Sequence, residues 1–218
     1  MKKQIVVIGL GRFGSSVCEE LYNLGHEVLA IDSQIDKVNA VVKYSSHAAV
    51  ADGTDSAALK ALGVRNFDQG VVAIGDNLQA SVLCTLMLKE NGMKKVWVKA
   101  RNLQHQKILE KVGADRVIQP EHEMGIRVAH HMDSEKIIDY IDLSKDYSIV
   151  ELVASNLVAN KTLVELDIRA KYDCTVLAIK RGESVNIAPL PSDEIQLDDL
   201  LVVMGHRNDL KRFEDKGL

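Results

Sequence analysis

The sequence predicts an α/β chain: a doubly wound parallel sheet over residues 1–143, followed by a smaller α+β domain over residues 144–218. Three observations predict it. Short apolar runs alternate six times with helical patterns before Met132, a glycine-rich turn from Gly9 to Gly14 interrupts the first unit, and the alternation stops after Met132. Apolar runs without polar alternation suit strands covered on both faces, and right-handed crossovers through the helices make the sheet parallel.

Each element follows from its own pattern. Residues 5–8 are a Val/Ile run, and the helix after them carries Phe13, Val17, Leu21 and Leu24 on one stripe before Gly25. Residues 28–31 form the second strand and 34–42 the second helix. Strand 47–51 leads to a helix over 55–62, with Thr54 as N-cap and Gly63 as terminator. Strand 71–74 leads to a helix over 77–91, ended by Gly92. Its core "ASVLCTLMLK" is apolar around most of its circumference, so its second face packs on a neighbouring helix or on another subunit. Strand 96–98 precedes a helix over 103–112, between Asn102 and Gly113. Strand 116–118 precedes a helix that Pro120 can open. Beyond Met132, two strand-like pieces flank a boundary near Leu143. Further strands are expected over 149–154, 175–180, 184–188 and 200–204, with helices over 162–171 and 208–216. "APLPSDEIQLDD" is a turn-rich connection.

Composition narrows the function. A net charge of −4, with Lys and Arg dispersed, and an aromatic content of 4% exclude a nucleic-acid-binding surface. Cys18, Cys84 and Cys174 are too far apart for a metal knuckle and odd in number, so they read as free thiols. "MKKQIVVIGLG" lacks the features of a secretory leader, and no run of about 18 apolar residues could span a membrane. A cytoplasmic location is the expectation.

The chemistry concentrates at the glycine turn. Gly9, Gly11 and Gly14 form GxGxxG between a strand and a helix, the arrangement that gives a tight turn, close approach to phosphate and close helix–strand packing. The N–H groups opening the helix then face the anion. Asp32 ends the second strand eighteen residues past Gly14, where a carboxylate can accept from ribose hydroxyls; Ser33 and Gln34 follow it. The context is that of a Rossmann-like adenine-nucleotide site. Ligands of such sheets bind outside the carboxyl ends of the strands, so Asp52 and Gly53, Ile74, Gly75 and Asp76, and Lys99, Ala100 and Arg101 join the expected site. Asp52, Asp76 and Asn102 can equally cap helices. Catalytic arrangements are missing: there is no nucleophile elbow, no P-loop and no HExxH, and His122, His130 and His131 are wrongly spaced for it. An NAD-dependent oxidoreductase would need an acid–base residue on a substrate domain, and a Rossmann-type redox-sensing repressor would need a basic helix-turn-helix. Neither is visible.

"VVIGLGRFGSSVCEEL", "EVLAID", "VADGTD", "KVWVKARN", "GADRVIQPEHEMG" and "DDLLVVMGHRNDLKRFE" together resemble the bacterial RCK family, above all the cytosolic regulatory subunits of Ktr-type potassium uptake systems. The likeness runs through the whole chain. One departure is Gln119, where the family often has His before the proline. The resemblance implies a non-enzymatic regulator that binds ATP or ADP, or NAD(H), in the N-terminal lobe. It implies a homo-octameric ring of dimers docked on a membrane-embedded channel subunit, and so a peripheral position at the inner membrane face. It adds Phe13 and His105 to the nucleotide set. It gives Arg12 a phosphate reached across a subunit interface, and Glu121 a Mg²⁺ or Ca²⁺ ion beside the nucleotide. In the C-terminal lobe it implies cyclic di-AMP held by Ile168, Arg169 and Ala170, with Pro189 and Pro191 downstream.

Overall fold

The computed structural model describes residues 2–133 and 137–217, and the chain divides into two compact units, residues 1–121 and 122–218. The first unit carries six parallel strands: β1 (Gln4–Ile8), β2 (Glu27–Asp32), β3 (His47–Val50), β4 (Gln69–Val72), β5 (Lys95–Lys99) and β6 (Arg116–Ile118). Their order is β3-β2-β1-β4-β5-β6, so chain order reverses between β1 and β4. Val6 stands opposite Leu29 on one side and Gly70 on the other. The helices between them are α1 (Arg12–Asn23), α2 (Ile35–Val41), α3 (Ser56–Ala61), α4 (Leu78–Glu90) and α5 (Leu103–Val112). The chain continues from β6 into α6 (Pro120–Asp133).

The apolar runs have a direct cause. Successive strand side chains point to opposite faces, and both faces are covered. Val6, Ile8, Leu29 and Ile31 pack with Leu59, Cys84, Leu88 and Leu109, while Ile5, Val7, Val28 and Ala30 pack with Cys18, Val38 and Val41. Helix α4 explains its all-round apolarity in the same way. Cys84 and Leu88 are fully buried and Val82 and Met87 pack on the same core, which leaves Leu78 and Leu86 as its large exposed side chains, at 44% and 36%. Its second face is therefore largely core. All three cysteines are free and buried; burial pushes Cys18 and Cys84 up to about 12, which leaves them inert as thiolates.

The second unit holds β7 (Ile137–Asp142), β8 (Tyr147–Val153), β10 (Thr175–Arg181), β11 (Ser184–Ile187) and β13 (Leu200–His206) in one antiparallel sheet, ordered β11-β10-β13-β8-β7. The short strands β9 (Lys161–Thr162) and β12 (Glu194–Ile195) pair separately. Besides most of α6, the unit carries helices α7 (Leu163–Leu166), α8 (Ile168–Tyr172) and α9 (Arg207–Gly217). Val150, Leu152, Leu201 and Val203 line one sheet face against Ile168, Leu210 and Phe213.

Two local expectations are corrected, and two strand-like pieces find their pairing. Asp55, not Thr54, caps α3, because its side chain accepts from the N–H groups of Ala57 and Ala58, while Thr54 donates to Asp52. The helix expected over 162–171 is broken at Asp167, whose left-handed φ of +46° separates α7 from α8. The two strand-like pieces around Leu143 are β7 and β8, paired antiparallel with each other. Leu143 lies in the turn between them.

Candidate functional site

The order reversal between β1 and β4 opens a groove of about 510 Å³ at the carboxyl ends of the strands. Its walls come from the residues that follow β1 (Gly9, Gly11), β2 (Asp32, Ser33, Gln34), β3 (Asp52, Gly53) and β4 (Ile74, Gly75, Asp76). The glycines have separable tasks. Gly9 adopts φ +95°, and a Cβ there would crowd Ile74 at 3.0 Å. Gly14 is packed so closely under the turn that a Cβ would lie 1.9 Å from the Gly9 carbonyl oxygen. A Cβ on Gly11 would meet nothing within 4 Å, so Gly11 faces open space. Gly11 is also the N-cap of α1 and supplies no side-chain acceptor, so the first N–H groups of that helix are open to an anion.

Asp32 is 8% exposed and anchors the turn: its Oδ2 accepts from Leu10 N–H at 2.7 Å and its Oδ1 from Gln34 N–H at 2.9 Å. Lys37 stands 4.0 Å from the same carboxylate. The Thr54 N–H and hydroxyl, each 2.8 Å from Asp52, hold its carboxyl below the usual carboxylate range. Asp32, Asp52 and Asp76 thus make the groove acidic. Such a wall accepts hydrogen bonds from hydroxyls and amines and repels phosphates. With Lys37 as the one ammonium among the described residues of this lining, an anionic group would meet least repulsion at the glycine turn.

The other expected contacts stand outside the groove's walls. Arg12 is exposed at the start of α1. Phe13 lies under Lys99, whose Nζ is 5.9 Å from the ring centroid. Lys99 is hydrogen-bonded to Glu121, and that bond, with Arg12's charge as a lesser cause, keeps the Glu121 carboxyl below its ordinary range. A Cβ on Gly75 would come 3.4 Å from Lys99 Nζ, so this ammonium lies against the groove's rim. Ala100 is buried and Arg101 exposed. His105, 1% exposed, supports the strand end from below: its Nδ1 accepts from Arg101 N–H at 3.3 Å, and burial first, then Arg101's charge, lowers its pKa. Sequence reasoning missed Lys37, Thr54, Asn77, Gln79 and Leu83 as lining residues. Lys37 is one helical turn past the Asp32–Gln34 strand end, which was the available signal. Asn77 caps α4 by accepting from Ala80 N–H, the role considered for Asp76.

One carboxylate already bound by an ammonium does not make a divalent-cation site. Among the described residues no group of three His, Cys, Asp or Glu side chains stands together, and the side chains of His130 and His131 lie outside the described set. A single chain therefore does not fit the ion expected at Glu121.

In the second unit, a separate pocket of about 220 Å³ gathers Ile168, Arg169, Pro189 and Pro191 with Val164 and Val176. Ala170 is exposed and outside it. The proline segment is pinned to α7, since Val164 N–H donates to the Pro191 carbonyl at 2.9 Å and Leu163 N–H to the Asp193 carbonyl at 3.1 Å.

Residues 5–120 match the TrkA-N domain family and residues 147–216 the TrkA-C domain family. Over 216 residues the chain is 51% identical to Ktr system potassium uptake protein A of Bacillus subtilis (strain 168), covering 99% of this chain and 97% of that protein. The solved GsuK RCK domain shares the fold with a TM-score of 0.69, at 16% identity, over 99% of this chain and 47% of its own. A GsuK channel bound to NAD does so at 0.67, also 16% identical, over 96% and 38%. The chain thus spans less than half the length of these two structures. Among the described residues no helix is long and apolar enough to cross a membrane.

Proposed function

The chain belongs to the TrkA-N and TrkA-C domain family of potassium uptake proteins, and from that premise we propose that it is the nucleotide-sensing regulatory subunit of a Ktr-type potassium uptake system. It sits among potassium uptake proteins and not among enzymes. The observation that carries the proposal is the groove with its acidic walls and its uncapped α1 terminus. ATP and ADP are the proposed ligands of the N-terminal lobe. In the proposed assembly eight copies form a cytoplasmic ring on the inner face of the membrane, docked on a channel subunit. Differential affinity of ATP and ADP for two ring shapes supplies the switching energy. A thorough shift takes about 5.5 kcal/mol, which several weakly biased sites supply more readily than one. Native mass spectrometry of protein purified without added nucleotide tests ring and ligand together; a monomer carrying nothing would count against both.

Arg12 is the proposed sensor of the terminal phosphate, reached across a subunit interface. A charge-assisted hydrogen bond contributes about 1.5–3 kcal/mol, so Arg12→Ala should weaken ATP about ten-fold or more and spare ADP. Calorimetry with both nucleotides checks this. Equal losses would reduce Arg12 to a general phosphate clamp. A Mg²⁺ or Ca²⁺ ion at Glu121 would need oxygens from the nucleotide and a neighbouring subunit, since Lys99 occupies the one carboxylate here.

For the C-terminal lobe, taken as residues 144–218, we propose cyclic di-AMP as ligand. The pocket of about 220 Å³ in one chain would hold part of a cyclic dinucleotide, and a second copy related by two-fold symmetry would hold the rest. Arg169 of each copy would then meet one phosphate. Arg169→Ala should lower cyclic di-AMP affinity about ten-fold or more without altering ATP binding. Unchanged heats of cyclic di-AMP binding would remove Arg169 from the site.

A further inference from the structure

On the far side of α8 lies a second cavity, of about 240 Å³, that the proposed ligands leave unused. Three lysines from three elements surround it: Lys161 of β9, Lys171 of α8 and Lys216 of α9. Ile168 and Phe213, 4% and 1% exposed, form an apolar floor. Among the described residues no carboxylate side chain lines the cavity. Lys161 Nζ donates to the Leu157 carbonyl at 2.7 Å and Lys171 Nζ to the Leu166 carbonyl at 2.9 Å, so both ammonium groups meet neutral acceptors. Glu165, the acid that feels Lys161's charge, is committed to the Thr162 capping box. The Tyr172 hydroxyl donates to the Lys216 carbonyl at 3.4 Å, linking the α8 and α9 walls.

Three lysines lining one hollow bias it toward an anion, which their ammonium groups can reach with the donors that the backbone carbonyls leave free. Lysine recognises phosphate or carboxylate as a point charge, without the fixed fork that arginine imposes. The volume is below the range of drug-sized ligand pockets, so the occupant is small. We propose that this cavity binds a small organic anion, a phosphate or carboxylate head carried on a short apolar body, with the head among the lysines and the body over Phe213. Ile168 lines both this cavity and the Arg169 pocket, so the two sites share a wall.

The test uses the whole chain and two probes, inorganic phosphate and hexanoate, each titrated at constant ionic strength against sodium chloride. Side-chain NMR signals of Leu157 and Phe213, which line this cavity and not the Arg169 pocket, are the readout. Saturable shifts with either probe are expected, and the probe that binds tells a phosphate site from a carboxylate site. Lys171→Met with Lys216→Met should weaken that binding about ten-fold or more, whereas Arg169→Ala should leave it within about two-fold. All three lysines are exposed, so these exchanges keep the fold; Lys216→Met alone, at the chain's outer helix, provides the same comparison with least disturbance. Shifts that chloride reproduces, that fail to saturate with both probes, or that survive the lysine exchanges overturn the proposal.

Discussion

Gly11→Asp is expected to abolish measurable ATP and ADP binding while leaving the protein folded. The fold tolerates the side chain because position 11 has φ −69° and a Cβ there meets nothing within 4 Å. The ligand does not tolerate it. A carboxylate would stand where the phosphates meet the α1 terminus, and two like charges about 4 Å apart cost about 4 kcal/mol at an effective dielectric of about 20. That corresponds to about a thousand-fold in affinity. Calorimetry should show no heat with either nucleotide, and thermal unfolding without nucleotide should match the parent protein. A folded Gly11→Asp variant that still binds ATP normally would refute the assignment of this groove to nucleotide.

Three residues further on, Gly14→Ala should do the opposite and damage the fold itself. Its new Cβ would fall 1.9 Å from the Gly9 carbonyl oxygen and 3.0 Å from the carbonyl carbon, both backbone atoms. Gly9 cannot yield, since it is held at φ +95° and its N–H donates to the Ile31 carbonyl at 2.8 Å. Overpacking of this kind costs about 3 kcal/mol or more. In a chain of this size each kcal/mol lowers the melting temperature by about 2–4 °C, so a fall of about 6–12 °C is expected. Differential scanning calorimetry without nucleotide checks it. An unchanged melting temperature would mean that α1 can move off the sheet, and that the third glycine is not a packing residue.

This division of labour was only partly legible beforehand. GxGxxG between strand and helix announces a turn, a close approach and a close packing, and Asp32 follows from its place at the end of β2. Which glycine meets ligand and which meets backbone depends on how α1 seats against β1 and β4. Capping of α3 by Asp55 and not Thr54 has a related reason. Thr and Asp are both good N-caps, and Thr54 was drawn away by Asp52, whose carboxylate takes both its donors. His105 depends on packing in the same way. Its burial comes from α5 packing on the sheet, which leaves it holding Arg101 from beneath.

The sequence by itself determined the six βα units, their parallel sheet and the glycine turn with its acid, because hydrophobic period, chain connectivity and the steric demands of glycine are local properties. Tertiary structure alone decided the partners. Lys99 meets Glu121 across 22 residues, β7 pairs antiparallel with β8, and three lysines from separate elements line one cavity. Such meetings depend on strand order and register, and those are set by the free energy of burying whole faces against one another, to which no short stretch of sequence has access.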